Sequence, residues 1–243
     1  FVFITGRTKR AIEDHFDAAP ELERALEEAG KSELAAELRN IMPPSAGSVF
    51  IRQRDPLGLG HAVLCARPAI GEEPFAVLLA DDFIVPAAGT ANPTAALAEA
   101  YAQSGQSQIL LQRVPFDEIQ KYGIAVPGSS QGAIDGLIEK PEPHEAPSNL
   151  ASIGRYVLHP EIFDVLETQM PGRGGEIQLA DAIDTLARRG CVGAVMLDGT
   201  RHDCGHHLGY LGAVVATAAQ HPEFGRAFRE LMVAHLASAQ VTS

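Results

Sequence analysis

Residues 136–158 read GLIEKPEPHEAPSNLASIGRYVL. Leu137 and Ile138 form an apolar run that delivers Glu139 and Lys140 side by side, and Pro141 then stops the strand. A polar, proline-broken loop follows, and a second strand over 153–158 returns. The unit holds one carboxylate and one ammonium at a fixed mouth. A carboxylate can accept hydrogen bonds from sugar hydroxyls, and an ammonium can pair with a phosphate. That pairing suits a sugar phosphate.

Upstream of this unit, strands alternate with helices. Short apolar strands are expected over 1–5, 48–52, 75–79 and 108–114. Helices are expected over 10–16, 21–39, from His61 onward and over 94–104. In 21–39 the apolar residues Leu22, Leu26, Leu34 and Leu38 recur at helical spacing, and Met42-Pro43-Pro44 ends the helix. The continuous apolar run at 75–79 is what a fully buried parallel strand shows. The alternation implies a parallel sheet with crossover helices. After Tyr122 the pattern changes to successive short strands over 123–126, 133–139 and 153–158. Helices over 160–167 and 177–188 and a strand over 195–197 follow. From Leu208 to the end, residues 208–243, the chain reads as mainly helical. One mixed α/β domain over 1–243, its mainly parallel sheet flanked by helices and followed by a C-terminal helical appendix, fits this order.

Composition narrows the partners. The chain has 243 residues, 46% of them apolar, ordinary for one large α/β domain or two small ones. No run reaches the ~18 apolar residues of a membrane span. The opening FVFITGRTKR lacks the order of a signal peptide. Three cysteines, Cys65, Cys191 and Cys204, are odd in number and far apart, which fits a reducing cytoplasm better than a disulfide framework. A net charge of −12 argues against nucleic acid as a partner. It leaves room for a small phosphorylated ligand, held by one lysine, a metal and backbone N–H groups. The chain opens without Met inside an apolar strand, so a segment upstream of Phe1 is expected.

Several residues carry candidate chemistry. Asp81 follows the strand over 75–79, at the carboxyl end where ligands of open α/β sheets bind. It can hold Mg²⁺ against substrate phosphates, or cap the next turn. Alternation along the chain turns Asp82 away from it. Asp203, in GTRHDCG, can share that metal or cap the helix that follows. Cys204 reads as a packed small residue, because no helper base accompanies it. His202, His206 and His207 lack the ligand spacing of a zinc site. Gly58, in the turn GLGHAV, lets a ligand ring or phosphate approach the backbone. Gln53 can read a base edge through its amide or lie on the surface. Gly123 either admits a sugar or simply opens a strand. Glu176 can favour the positive end of a helix.

Taken together, TGRTKRAIEDHFD at Thr5, IRQRDPLGLGHAV at Ile51, PFAVLLADDFI at Pro74, KYGIAVPG at Lys121, IEKPEPHEAPSNLASIGRYVL at Ile138, GGEIQLADAID at Gly174 and HDCGHHLGY at His202 closely resemble the bacterial UTP–glucose-1-phosphate uridylyltransferases. The resemblance covers nearly the whole chain in matching order. It implies a nucleotidyltransferase fold with a Rossmann-like sheet. The implied reaction turns UTP and glucose 1-phosphate into UDP-glucose and pyrophosphate with Mg²⁺. By the same resemblance Gln53 and Gly58 contact uracil, Gly123 and Glu139 bind the sugar, Lys140 binds the sugar's phosphate, and Asp81 and Asp203 bind metal. Self-association into a homo-oligomer is also implied.

Two departures stand out. The family's glycine-rich GxGTR loop, with its Pro- and Lys-bearing continuation, has no counterpart from Phe1 onward. A protein that truly began there is expected not to catalyse transfer. The family's usual Lys is His207 here, which is only partly charged near neutral pH. Competing readings are a transferase using dTTP, ATP or CTP, and a non-catalytic sugar-nucleotide-binding protein on the same fold.

Overall fold

The computed structural model describes residues 1–43, 45–130 and 132–239. Pro44 of the expected Met42–Pro44 break, and residues 240–243 of the expected C-terminal helical region, lie outside the described residues. The first strand, β1 (Val2–Thr5), leads through α1 (Arg10–Phe16), α2 (Pro20–Glu28) and α3 (Ser32–Arg39) to β2 (Val49–Arg52). The single helix expected over 21–39 is thus two. Gly30 adopts φ 74°, and the N–H groups of Gly30 and Lys31 close the end of α2 on Glu27 and Leu26. Only glycine takes that left-handed turn without a Cβ penalty. β1 and β2 pair in parallel, and Phe3 stacks on Phe50 across them.

The chain continues through α4 (Leu59–Cys65), α5 (Arg67–Ile70), β3 (Phe75–Leu78), β4 (Asp82–Pro86), α6 (Pro93–Ser104) and β5 (Ser107–Arg113). α6 has a complete set of end signals. The Asn92 side chain accepts from the Thr94 N–H, Pro93 opens the helix and Gly105 closes it at φ 68°. A 3₁₀ helix (Phe116–Lys121) precedes β6 (Gly123–Pro127), β7 (Ile134–Glu139) and β8 (Leu150–Leu158). Then come α7 (Glu161–Thr168), α8 (Leu179–Ala187), β9 (Val192–Met196), β10 (Gly199–Asp203), α9 (His207–Gln220) and α10 (Gly225–Ala239).

The central sheet has six strands in the order β7-β6-β8-β5-β9, with β3 also paired to β8. It is mixed. β5 and β9 pair in parallel, while β8 runs against β3, β5 and β6. Strands β3, β5, β6 and β9 therefore point one way and β7 and β8 the other. β8 is long enough to carry β6 on its first half and β3 on its second along one edge. Helices cover both faces. Val63 of α4, Phe163 and Leu166 of α7, and Ile183 and Leu186 of α8 pack on Ile109, Leu137 and Leu158. Leu97 of α6 packs on Leu110, Ile153 and Val157 of the other face. β5 is buried on both sides, as its apolar run requires.

β3 differs from its expectation of full burial. Its residues alternate, and Leu78 is 55% exposed. Ala76 and Leu78 share the uncovered face, while Phe75 and Val77 turn toward the core. β4 and β10, which the sequence pattern does not announce, form a separate antiparallel pair with Asp203 opposite Asp82.

Candidate active site

The sugar-phosphate residues are assembled by β6 and β7. Their register sets Gly123 directly opposite Glu139. A Cβ on Gly123 would lie 3.3 Å from Glu139 Oε2, so glycine keeps that carboxylate open on this face. Lys140 follows at φ 46°, a left-handed conformation for a non-glycine residue ahead of a proline. Residues before proline prefer extended backbone, and L-residues pay roughly 1–2 kcal/mol to enter the left-handed region. The conformation is held by the Lys140 N–H donating to the Tyr122 carbonyl at 2.9 Å and by the burial of Pro141. Lys140 Nζ meets Glu139 Oε1 at 3.2 Å. Backbone strain of this kind is characteristic of sites where a side chain must be aimed.

The carboxylates meet where β3 gives way to β4 and β10 gives way to α9. Asp81 is exposed in the turn before β4, and its carbonyl accepts from the Cys204 N–H at 2.7 Å. Asp203 Oδ1 accepts from the Gly205 N–H at 3.0 Å. A Cβ on Gly205 would stand 3.1 Å from both Asp203 Oδ1 and Asp81 Oδ2. Both carboxylates therefore flank Gly205, where a side chain would crowd them. Asp82 points elsewhere. It is buried, accepts from the Gly154 N–H and is paired with Arg201.

Arg201 joins the two groups. Its side chain is only 10% exposed, and Asp82's is 5%. The guanidinium also lies 3.5 Å from Asp203 Oδ2, donates to the Tyr122 hydroxyl at 3.2 Å and sits 5.2 Å from that ring's centre. Burial works to lower the Arg201 pKa, but the Asp82 carboxylate and the Tyr122 bond outweigh it and hold the cation. Arg155 adds bonds to the carbonyls of Leu79, Asp82 and Gly154. One cation thus couples the Asp203 strand end to Tyr122, the neighbour of Gly123.

The base-side residues form their own unit. The Gln53 N–H continues the β1–β2 ladder by donating to Thr5. Its side-chain Nε2 donates to the Gly58 carbonyl at 3.1 Å and lies 2.9 Å from His61 Nδ1. Gly58, at φ 102°, and Gly60 are needed for a protein neighbour: added Cβ atoms would lie 2.8 and 2.7 Å from the Ile177 carbonyl. Gly60 N–H donates to Ile177, and Ile177 N–H donates to Leu57. The turn is thereby docked on the loop before α8.

The structure brings Glu139, Lys140 and Gly123 together, and Asp81 with Asp203. It keeps Gln53 and Gly58 as a separate hydrogen-bonded pair. Sequence reasoning did not single out Arg201, which pairs with Asp82 and Asp203, or His61, which contacts Gln53. The only signals were a lone Arg two residues before Asp203 and the histidine closing GLGH. His207 opens α9 and is exposed. No helix among the described residues is long and apolar enough to cross a membrane.

Residues 15–220 match the model of the nucleotidyl transferase family. The chain is 47% identical to the UTP–glucose-1-phosphate uridylyltransferase of Bacillus subtilis, with 91% of this chain and 76% of that protein covered. It superposes on the UDP-glucose pyrophosphorylase of Acinetobacter baumannii with a TM-score of 0.86, and 0.85 for the UTP-bound form. The identity there is 39%, over 96% of this chain and 81% of that one. A UDP-glucose pyrophosphorylase complexed with UDP-glucose gives a TM-score of 0.79 at 36% identity, over 90% and 81% of the two chains. The chain belongs to the nucleotidyl transferase family and, within it, to the UTP–glucose-1-phosphate uridylyltransferases.

Proposed function

We propose that this protein makes UDP-glucose and pyrophosphate from UTP and glucose 1-phosphate. A phosphate oxygen of the sugar attacks the α-phosphorus of UTP in line, and the bond to the bridging oxygen breaks as pyrophosphate leaves. No protein nucleophile is needed, so the chain's work is positioning and charge neutralisation. Lys140 offsets the repulsion between the two anionic substrates. Glu139 accepts from glucose hydroxyls beside the open face of Gly123. Gln53 and Gly58 meet the uracil.

Asp81 and Asp203 suit a divalent cation of the Mg²⁺ class. They supply two hard carboxylate oxygens beside Gly205, and such an ion typically takes few protein ligands beside substrate phosphates. Bound there, it would draw charge from the phosphates during transfer. Arg201 keeps Asp203 at the ligand point and Tyr122 beside the sugar. The observation that carries this reading is the placement of Asp81 and Asp203 beside Gly205, with Arg201 bridging Asp203 to Tyr122 next to Gly123, in a chain 47% identical to such a transferase.

The exposed Leu208, Leu211, Leu231, Val233 and Leu236 of α9 and α10 support self-association into a homo-oligomer. Three free cysteines support a cytoplasmic setting. The test is pyrophosphate release from UTP, dTTP, ATP and CTP with glucose 1-phosphate, with and without Mg²⁺. UTP is expected to be the preferred nucleotide and chelation to stop release. Release that ignores glucose 1-phosphate, or a preference for ATP, would refute the reading.

A further inference from the structure

Residues 154–158, GRYVL, open with Gly154 and Arg155 set against the turn that carries Asp81. β8 runs beside β3 with Arg155 opposite Leu78, and the Leu79 N–H extends the ladder by donating to the Gly154 carbonyl at 3.0 Å. The chain then turns back. The Asp82 N–H donates to the Leu79 carbonyl at 3.3 Å, with Ala80 and Asp81 at the bend. A Cβ on Gly154 would stand 2.6 Å from the Leu79 Cβ, so glycine lets β8 lie against this bend. Arg155 closes the arrangement. Its Nη1 donates to the Leu79 carbonyl at 3.0 Å and to the Gly154 carbonyl at 2.7 Å, and its Nη2 donates to the Asp82 carbonyl at 2.9 Å. One planar fork thus grips both ends of the bend. The Asp82 carboxylate is already paired with Arg201, so this second, half-buried guanidinium is directed to carbonyls. Taking a charge out of water is costly, and charge-assisted bonds of fixed geometry offset that cost.

We propose that Arg155 is a positioning residue for the metal-side carboxylate: by clamping Leu79 and Asp82 it fixes the backbone of Asp81, and with it the placement of that carboxylate beside Asp203. This rests on Asp81 as a metal residue, as proposed above. Asp81 is exposed, so its backbone sets its aim. On the opposite side the turn is held by the Cys204 N–H, which donates to the Asp81 carbonyl at 2.7 Å. The two carboxylates are therefore set by two cations from different strands, Asp203 by Arg201 of β10 and Asp81 by Arg155 of β8. Arg155 acts through the turn rather than on a reactant.

Mn²⁺ serves as a probe of the Mg²⁺ class that electron paramagnetic resonance can follow. Its affinity is measured with saturating UDP-glucose in the wild type, Arg155→Lys, Arg155→Met and Asp81→Asn. Metal-free UDP-glucose binding is read in parallel by isothermal titration calorimetry. Lys keeps the charge but presents one nitrogen in place of the fork. Both Arg155 variants are expected to bind Mn²⁺ roughly tenfold more weakly, while the Kd for UDP-glucose without metal moves less than about twofold. A merely structural role would move both affinities or neither, and either result overturns the proposal. Wild-type Mn²⁺ affinity in Arg155→Lys, with that of Asp81→Asn impaired, overturns the clamp. Wild-type affinity in Asp81→Asn overturns Asp81 as a ligand, and the inference falls with it. Should the Arg155 variants fail to fold, the ¹⁵Nη signals of the wild-type guanidinium decide: separate, slowly exchanging Nη protons support the clamp and averaged ones overturn it.

Discussion

Lys140 and Gln53 sit at the ends of strands with very different support. β7 leads to Lys140 and sends Ile134 and Leu137 into the main core, beneath α8. Asp184 of α8 even accepts from the Leu137 N–H at 2.8 Å. β2 leads to Gln53, pairs with β1 alone and buries none of its four side chains fully. The sugar-phosphate side is thus part of the cooperative core, and its geometry is fixed by sheet register. The base side is held by a few backbone bonds between the GLG turn and Ile177. Substitutions should accordingly separate chemistry from base choice, and packing from both.

Removing the ammonium probes the core-supported side hardest. Lys140→Ala should lower kcat/KM by about a thousandfold with little change in Tm, since the side chain is 43% exposed. A near-normal kcat/KM would break the assignment of Lys140. Next in size is the buried pair. Arg201→Met leaves Asp82 buried without its cation and should cost about 3–5 kcal/mol in denaturant unfolding. The double variant Arg201→Met/Asp82→Leu should recover most of that stability yet not the activity, because Asp203 and Tyr122 lose their shared partner. Recovery of both would reduce Arg201 to packing.

The base side should respond more mildly. Gly60→Ala sets a methyl against the Ile177 carbonyl and Leu166, an overpacking worth about 1–3 kcal/mol. Its expected signature is a higher KM for UTP with the KM for glucose 1-phosphate unchanged. Equal rises in both would merge the two sides. Smallest is the C-terminal surface. Leu231→Ser with Leu236→Ser should alter unfolding of the isolated chain by no more than about 0.5 kcal/mol each. Sedimentation should nonetheless report a smaller assembly, and an unchanged one would remove these helices from any interface.

Much of the core-supported side is legible in the sequence. The buried runs of β5 and β8, the caps of α6 and the Glu139-Lys140-Pro141 stop are local signals that tertiary structure reinforces. The pairing of β4 with β10 is not legible, because GTRHD carries no apolar residue and its partner opens on an aspartate. Across it Asp82 accepts from Arg201 of the neighbouring strand, a contact that no periodicity records. The break between α2 and α3 is legible only at Gly30, since leucine spacing continues across it. Gly58 shows the other limit. The sequence suggests room for a ligand there, whereas the neighbour that demands a glycine is Ile177, 119 positions away.

A crystal structure with UDP-glucose tests the central claim most directly. The glucose is expected against Glu139 and the open face of Gly123, the sugar-linked phosphate within ion-pair distance of Lys140 Nζ, and the uracil beside Gln53 and Gly58. Glucose bound away from Glu139 and Gly123, or uracil against the β6–β7 pair, would contradict it.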